Sequence, residues 1–195
     1  LYAPEPENMY APDHATWVEV PALANTLCGL SRPIHFRGVC TVVLKLFMLA
    51  QPSLAVFGEK DWQQLAIIKK MVSDLNVPVE VVGRPIVREA DGLAFSSRNV
   101  YLTPEERAQA PQIRKSLEMA AGLAAGGERD AARIIEAVRG YLAEHLPTGE
   151  EDYISIVDPA VLTRVDRIED MALCALAIRL GKARLIDNIL LKVGE

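Results

Sequence analysis

Residues 53–82 read SLAVFGEKDWQQLAIIKKMVSDLNVPVEVV, and their pattern changes from strand to helix and back to strand. The apolar run over residues 53–57 is typical of a strand that is buried on both faces of a parallel sheet. Apolar residues then recur at helical spacing over residues 65–75, and residues 79–82 supply a second apolar run. This order predicts a βαβ unit, whose right-handed crossover makes its two strands parallel neighbours in one sheet.

The residues before this unit predict less regular structure. The first dozen residues mix three prolines with acidic side chains and are typical of a surface loop. The alternation over Trp17–Val20 predicts a short strand that Pro21 ends. Residues 38–50 carry apolar side chains at helical spacing, so we expect a buried helix that ends before Pro52.

The second half of the chain predicts a different architecture. Thr103 and Pro104 form a strong helix start, and we expect that helix to run to Ala125 and to stop at the two glycines that follow. A second helix is predicted from Asp130 through Leu146. Three later apolar segments predict a small antiparallel sheet: Tyr153–Val157, Ala172–Leu180 and Ala183–Leu191. The fold class is therefore α/β, with a partial Rossmann-like parallel sheet followed by a small α+β domain with an antiparallel sheet.

The composition excludes several classes of protein. Half of the 195 residues are hydrophobic, which is typical of a globular protein with a buried core. The chain carries 21 Lys and Arg against 26 Asp and Glu, so it lacks the basic excess that nucleic-acid binding requires. Its apolar runs are shorter than the ~20 residues of a membrane span. No export signal is visible, and we expect a cytoplasmic protein.

Cysteine and histidine are few and scattered. The cysteines stand at positions 28, 40 and 174, and the histidines stand at positions 14, 35 and 145. These spacings form neither a disulfide framework nor a zinc site, so we predict buried thiols and assign no metal ligands.

The first candidate site lies where the predicted strand of residues 53–57 meets its helix. Ligands bind parallel sheets at the carboxyl ends of their strands. Gly58 lets the backbone approach a ligand, and Lys60 offers a compact positive charge for phosphate oxygens. Asp61 either caps the helix or holds a ribose hydroxyl, and Gln64 lies one turn beyond Lys60 and can face the same crevice. A solvated helix start with a surface lysine is the simpler interpretation of so short a motif.

The second candidate site follows the next strand and therefore lies at the same edge of the sheet. Residues 88–99 read READGLAFSSRN, in which Ser96 and Ser97 precede Arg98. Two hydroxyls beside a guanidinium can hold phosphate oxygens, and backbone N–H groups can add a small concavity that binds anions. A turn capped by Ser and Asn is the alternative interpretation.

The third candidate site precedes the predicted helix of residues 38–50. Residues 32–39 read RPIHFRGV, so that Arg32, His35 and a second arginine could hold a carboxylate or a phosphate. The alternative is a cationic loop that pairs with Glu19 or with other surface acids.

Together the three clusters resemble one family. The pantothenate synthetases have motifs similar in order and spacing to RPIHFRGV at 32–39, FGEKDWQQL at 57–65 and DGLAFSSRN at 91–99. The closing GKARLIDN at 181–188 also resembles the last strand of that family. The resemblance covers essentially the whole chain, and motifs in several parts are highly specific.

The resemblance implies a cytoplasmic, homodimeric ligase that uses ATP and Mg²⁺ to join pantoate to β-alanine through a pantoyl adenylate. It implies that residues 1–98 are the remnant of a Rossmann-like nucleotide-binding domain and that residues 99–195 are a carboxy-terminal α+β domain. By the same resemblance, one set of residues contacts ATP: Gly58, Glu59, Lys60, Asp61, Val87, Phe95, Ser96, Ser97 and Arg98. The catalytic residues among them are Lys60, Ser96, Ser97 and Arg98. The substrate-binding residues outside this set are Gln64, Arg32 and His35.

One part of the family pattern is not matched. The family carries an upstream segment with a His-Xaa-Gly-His motif for ATP and a second glutamine for pantoate, and this sequence contains no such motif. We therefore expect little ligase activity from the chain alone. The alternative is a non-catalytic dimerisation or interaction fragment with a residual nucleotide half-site, and AMP release that depends on pantoate and β-alanine distinguishes the two.

Overall fold

The protein is described by a computed structural model that covers residues 3–194. The described residues divide into two compact units. The first unit takes the chain up to Phe57 together with Gln63–Arg84, and the second takes Gly58–Trp62 together with the chain from Pro85 onward. The predicted domain boundary between residues 98 and 99 stays a prediction.

The first unit contains the predicted βαβ arrangement. Strands β1 (Leu54–Gly58) and β2 (Glu80–Arg84) form a parallel two-stranded sheet. The helices that belong wholly or mostly to this unit are α1 (Pro6–Met9), α2 (Pro21–Ala24), α3 (Cys28–Ser31), α4 (His35–Ala50) and α5 (Trp62–Asp74). The prediction of a strand, helix, strand order with parallel pairing is therefore confirmed.

The burial predicted for β1 is wrong. Leu54 and Val56 are 48% and 57% exposed, although their apolar run is typical of a strand that is covered on both faces. A sheet of two strands surrounds β1 with too little structure to bury both of its faces.

The strand predicted over Trp17–Val20 is also wrong. The described backbone there is not paired in a sheet, and the Val18 N–H donates to Thr41 Oγ1 of α4 at 3.0 Å. Alternation of apolar and polar residues predicts a strand only where a neighbouring strand can satisfy the backbone groups, and here a helix side chain satisfies one of them. Among residues 3–12, the single helical turn α1 lies in an otherwise irregular segment.

The second unit is built on a three-stranded antiparallel sheet, as predicted. Strand β4 (Met171–Leu180) lies between β3 (Gly149–Val157) and β5 (Ala183–Lys192). Gly181 has a φ of +54° in the turn that joins β4 to β5, a conformation that favours glycine. Helices α7 (Gln112–Ala125) and α8 (Ala131–His145) pack against the sheet. Leu117 of α7, Ile134 of α8 and Leu176 of β4 are completely buried in the core that they form.

The predicted long helix after Thr103 is two helices. Pro111 lies between α6 (Pro104–Gln109) and α7. The helix breaks there because a proline lacks the N–H that a continuous helix would use. The predicted start is confirmed: Thr103 Oγ1 accepts from the Glu106 N–H, and the Glu106 carboxylate accepts from the Thr103 N–H. Asp130 caps α8 in the same way by accepting from the Arg133 N–H.

The prediction of buried thiols is confirmed for two of the three cysteines and is wrong for the third. Cys40 and Cys174 are buried, whereas Cys28 is half-buried. Burial raises the pKa of Cys40 to about 11 and that of Cys174 to about 12.

Among residues 3–194, no helix combines the length and hydropathy needed to cross a membrane.

Candidate active site

Lys60 lies on a short 3₁₀ turn, Glu59–Asp61, between the end of β1 and the start of α5. This turn belongs to the second unit. The Lys60 side chain is only 16% exposed, and its Nζ lies 3.5 Å from Asp61 Oδ2. The ammonium group is therefore held close to the protein surface, and its nearest carboxylate partner is a weak one at that distance.

Lys60 lines a small cleft whose interior of about 10 Å³ has room for about one water molecule. Ser96 and Asp187 supply polar groups to the same cleft. Its apolar walls come from α7, from β5 and from the segment after β2: Leu93, Ala94, Ile113, Leu185 and Ile186. The structure thus brings together one cation, one hydroxyl and one carboxylate beside an apolar wall.

Ser96 follows a short hairpin. The Glu89 N–H donates to the Leu93 carbonyl at 2.8 Å and the Phe95 N–H donates to the Val87 carbonyl at 2.9 Å. Gly92 has a φ of +91° at the tip, which a glycine adopts without strain. The segment that leads to Ser96 is therefore ordered by its own backbone hydrogen bonds.

Arg98 lies on the 3₁₀ turn that follows, Ser97–Tyr101. The Ser96 hydroxyl caps this turn by accepting from the Arg98 N–H at 3.2 Å. Ser97, Arg98, Phe95 and Val87 are exposed. Within the described part of the chain the Arg98 guanidinium makes no ion pair, and it does not line the cleft. The local interpretation of Ser96 as a turn cap is therefore correct, and it leaves the Arg98 side chain available.

The hairpin is tied to the antiparallel sheet through Arg88. Its guanidinium forms a two-pronged pair with the Asp187 carboxylate of β5, at 2.7 and 2.9 Å, and also donates to the Gly92 carbonyl at 3.0 Å. Asp187 is buried, so this pair has the planar geometry and the shielding from water that make an Arg–carboxylate contact strong. Neither residue is among the candidate site residues that the motifs predict.

A second set of contacts orders the hairpin from its other side. Arg107 of α6 donates to the carboxylates of Glu89 and Asp91, and Asn99 donates to Glu89 at 2.6 Å. The hydrogen bond from Asn99 and then that from Arg107 lower the pKa of Glu89, and the hydrogen bond from Arg107 lowers the pKa of Asp91. Both carboxylates are therefore ionised at neutral pH and hold the Arg107 guanidinium.

Gly58 has space around it. A side chain built on Gly58 would meet no atom within 4 Å, and its φ of −75° is open to any residue. The fold of this chain therefore does not require a glycine there. Room beside the Lys60 turn is what a close ligand would use, and this supports the first candidate site.

The remaining predicted residues belong to the first unit. Gln64 is half-buried on α5, Arg32 is exposed, and Arg32 Nη1 lies 3.3 Å from His35 Nε2 at the start of α4. Gln63, which received no role, is buried: its amide nitrogen donates to the Leu23 and Thr26 carbonyls and its oxygen accepts from the Cys28 N–H. Gln63 therefore organises the segment that leads to α3, while Gln64 keeps its side chain partly accessible.

The contacts that sequence reasoning missed share one signal. Asp187 and Asn188 are two adjacent polar residues inside the apolar strand RLIDNILL of β5, and both are buried. Buried polar groups require partners, so a polar pair in an apolar strand predicts that other segments are bonded to it. The partners themselves are about 100 or more residues away along the chain and could not be named in advance.

Comparisons with known proteins agree with the resemblance that the motifs carry. A sequence model of the family described as Pantoate-beta-alanine ligase matches residues 1–190. The pantothenate synthetase of Nitratidesulfovibrio vulgaris (strain Miyazaki F) is 66% identical over all 195 residues, which correspond to 69% of that protein. The chain therefore spans about two thirds of the length of the relatives that it matches.

Solved structures give the same family. A crystal structure of the pantothenate synthetase from Thermus thermophilus superposes with a TM-score of 0.92 at 46% identity, covering 96% of this chain and 68% of that one. The Francisella tularensis pantoate–β-alanine ligase, solved in complex with β,γ-ATP and β-alanine, superposes with a TM-score of 0.69 at 29% identity, covering 94% of this chain and 61% of that one. These matches favour a ligase over an interaction fragment. The chain belongs to the pantoate–β-alanine ligase family.

Proposed function

We propose that this chain carries the triphosphate side of a ligase site that joins pantoate to β-alanine with ATP. The observation that carries the proposal is the shared cleft of Lys60 and Ser96 in the second unit. A fixed ammonium group and a hydroxyl beside open space at Gly58 suit the anionic oxygens of a nucleotide. Pantoate and β-alanine are proposed as the two organic substrates because the chain belongs to this family.

The reaction has two steps. A carboxylate oxygen of pantoate forms a bond to the α-phosphorus of ATP, and the bond from that phosphorus to the leaving oxygen of pyrophosphate breaks. The amine of β-alanine then forms a C–N bond at the acyl carbon, loses a proton, and releases AMP. Negative charge collects on phosphate oxygens in the first step, so positioning and fixed cations are the main demands on the protein.

The proposed roles follow from these demands. The Lys60 ammonium group lies beside the phosphates and offsets their negative charge. The phosphate oxygens bind to the hydroxyls of Ser96 and Ser97 and to the exposed guanidinium of Arg98. Gly58, Glu59 and Asp61 contact the nucleotide through the same turn, with Val87 and Phe95 offering exposed apolar surface for it. By family resemblance, Gln64 binds pantoate, and Arg32 and His35 serve the other substrate or a phosphate.

Mg²⁺ is proposed as a companion of ATP. Among residues 3–194 no group of three or more His, Cys, Asp or Glu side chains is arranged to hold a metal ion. Mg²⁺ commonly binds to nucleotide enzymes through the phosphates and one or two carboxylates, with water completing its shell. The described residues therefore fit a magnesium ion that arrives on the triphosphate and do not fit a dedicated protein cage. We also propose that the protein is cytoplasmic and homodimeric, as the resemblance implies.

The test is AMP release that depends on both pantoate and β-alanine. The chain is assayed alone and fused to the part of the Miyazaki F relative that it does not cover. We expect activity from the fusion, and we expect Lys60→Ala to reduce it at least about 100-fold, the usual scale for removing a group that stabilises transition-state charge. Lys182→Ala, which removes an exposed lysine from the turn between β4 and β5, is the matched control.

Calorimetry with ATP and Mg²⁺ tests the chain itself. We expect binding by the unmodified chain and by Lys182→Ala, and much weaker binding by Lys60→Ala. A folded fusion that releases no AMP, or a Lys60→Ala variant that is as active as Lys182→Ala, contradicts the proposal.

A further inference from the structure

We propose that Asn188 is a positioning residue that holds the Lys60 turn in place, an inference that rests on the proposed function for the role of Lys60. The amide nitrogen of Asn188 lies 2.9 Å from the Glu59 carbonyl oxygen and 3.0 Å from the Lys60 carbonyl oxygen. One side chain of β5 thus donates to two consecutive carbonyls of the turn that presents Lys60 to the cleft.

These two hydrogen bonds need a side chain with two N–H donors, and a primary amide provides them without a charge. The amide nitrogen of asparagine carries two N–H donors, one for each carbonyl, whereas a hydroxyl has one donor and a carboxylate has none. Asn188 is only 5% exposed, so water does not compete freely for these donors. A buried amide without partners would destabilise the fold, and the turn supplies the partners.

The position of Asn188 in the sheet makes it a firm support. It pairs with Ala175 of β4, and Ala175 pairs in turn with Ser155 of β3, so the residue stands on a row that crosses all three strands. A site that is mounted on strands is held more closely than one mounted on loops alone.

The neighbouring residue holds the opposite wall of the same cleft. Asp187 binds Arg88 and, through it, the Gly92 carbonyl of the hairpin that leads to Ser96. The Asn188 N–H donates to Asp187 Oδ1 at 2.8 Å and joins the two supports. Two adjacent residues of β5 therefore set the separation between the Lys60 turn and the hairpin.

The far end of the Lys60 turn has an independent anchor. Trp62 Nε1 donates to the Pro159 carbonyl at 2.8 Å. With that end fixed, loss of the Asn188 hydrogen bonds is expected to loosen the Glu59 and Lys60 end without unfolding the turn.

The experiment measures how fast an amine-acylating reagent modifies Lys60 in this chain, by mass spectrometry of its peptides. Asn188→Leu keeps the shape of the side chain without its donors, Asn188→Asp offers acceptors only, and Asn188→Gln keeps the amide. We expect Lys60 to react about five to ten times faster in the Leu and Asp variants, the scale set by losing net hydrogen bonds to a buried group. The Gln variant is expected to lie closer to the unmodified chain.

Two controls separate positioning from general loosening. Lys182 is the internal reference and should react at one rate in every variant, and Ser155→Ala, a buried change on the same row of the sheet, should leave Lys60 unchanged. All chains are labelled below the midpoint of their thermal unfolding. Lys60 rates in the Leu and Asp variants within twofold of the unmodified chain overturn the proposal, as does a Gln variant that reacts as fast as the Leu variant.

Added ATP separates this inference from the proposed function. ATP is expected to slow the acylation of Lys60 in the unmodified chain and to require higher concentration to do so in Asn188→Leu, with little change in Ser155→Ala. If ATP gives no protection in the unmodified chain, the proposed role of Lys60 fails, while the labelling rates without ATP still decide whether Asn188 holds the turn.

Discussion

The two compact units differ in how completely each satisfies its own strands and helix ends. In the second unit, β4 is buried along nearly its whole length between two partners, and α6 and α8 each begin with a side-chain cap, although α7 does not. In the first unit, β1 and β2 form a two-stranded sheet with exposed apolar residues, and α1 to α4 begin without such caps. Two paired strands are marginally stable by themselves.

This difference bears on the site. The Lys60 turn and the hairpin before Ser96 belong to the second unit and are bonded to its sheet, whereas Gln64, Arg32 and His35 belong to the first. The groups proposed for the triphosphate are therefore the ones with the firmest support. Matched substitutions in the two units test whether that contrast is real.

The largest expected effect comes from the ion pairs. Arg88→Leu leaves the buried Asp187 carboxylate without its partner, so we expect the free energy of unfolding to fall by about 3–5 kcal/mol. Lys70→Met removes an exposed pair with Asp74 on α5, and the expected loss is about 0.5 kcal/mol or less. Urea denaturation measures the second unit through Trp62 fluorescence in a Trp17→Phe background, and it measures the first unit through Trp17 fluorescence in a Trp62→Phe background. Equal losses from the two substitutions would remove the contrast.

The next effect concerns apolar burial. Leu176 of β4 is fully buried, and Leu176→Ala should cost about 3 kcal/mol, because it removes contacts and leaves a cavity. Leu54 of β1 is about half exposed, and Leu54→Ala should cost about 0.5 kcal/mol or less. Chemical denaturation of both variants checks the pair. A loss at Leu54 as large as that at Leu176 would show that β1 is covered in solution.

The same contrast explains which parts of the fold could be predicted. The βαβ unit, the caps at Thr103 and Asp130 and the three later strands follow from local patterns of period, capping and turns, and all of them are present. The strand over Trp17–Val20 and the burial of β1 depend on neighbours that a local pattern does not specify. The break at Pro111 could have been predicted from the proline alone.

The candidate site was predictable to a similar degree. Lys60 and Ser96 could be placed near each other, because both follow strands that end at one edge of a parallel sheet, and they line one cleft. Asn188 and Asp187 could not be linked to them, because contacts across about 100 residues have no local signal. Only the anomaly of buried polar residues in an apolar strand pointed to a role.

A smaller effect tests the caps. Thr103→Ala removes the hydroxyl that accepts from the Glu106 N–H, so we expect a loss of about 1 kcal/mol from the second unit. Thr103→Ser keeps an acceptor and should recover most of that stability. Urea denaturation followed by Trp62 fluorescence gives both values. If the Ser variant is no more stable than the Ala variant, the hydroxyl does not act as the cap.

The smallest effect is a dependence on pH. Hydrogen bonds from Asn99 and Arg107 lower the pKa of Glu89 from its ordinary 4.5, and the hydrogen bond from Arg107 lowers that of Asp91 from 3.8. A carboxylate whose pKa is lower in the folded state stabilises that state above its unfolded pKa, and the gain is lost as the pH falls through the folded value.

The unmodified chain should therefore lose stability between about pH 5 and about pH 3 more steeply than Arg107→Met, which lacks the guanidinium that both carboxylates bind. Arg133→Met is the control. Arg133 is an exposed partner of Glu128, whose pKa is lowered chiefly by the Asp130 N–H, so its loss should leave the slope nearly unchanged. Urea denaturation at a series of pH values measures all three slopes. The same slope for the unmodified chain and Arg107→Met would mean that the Arg107 guanidinium does not stabilise the ionised Glu89 and Asp91 in solution.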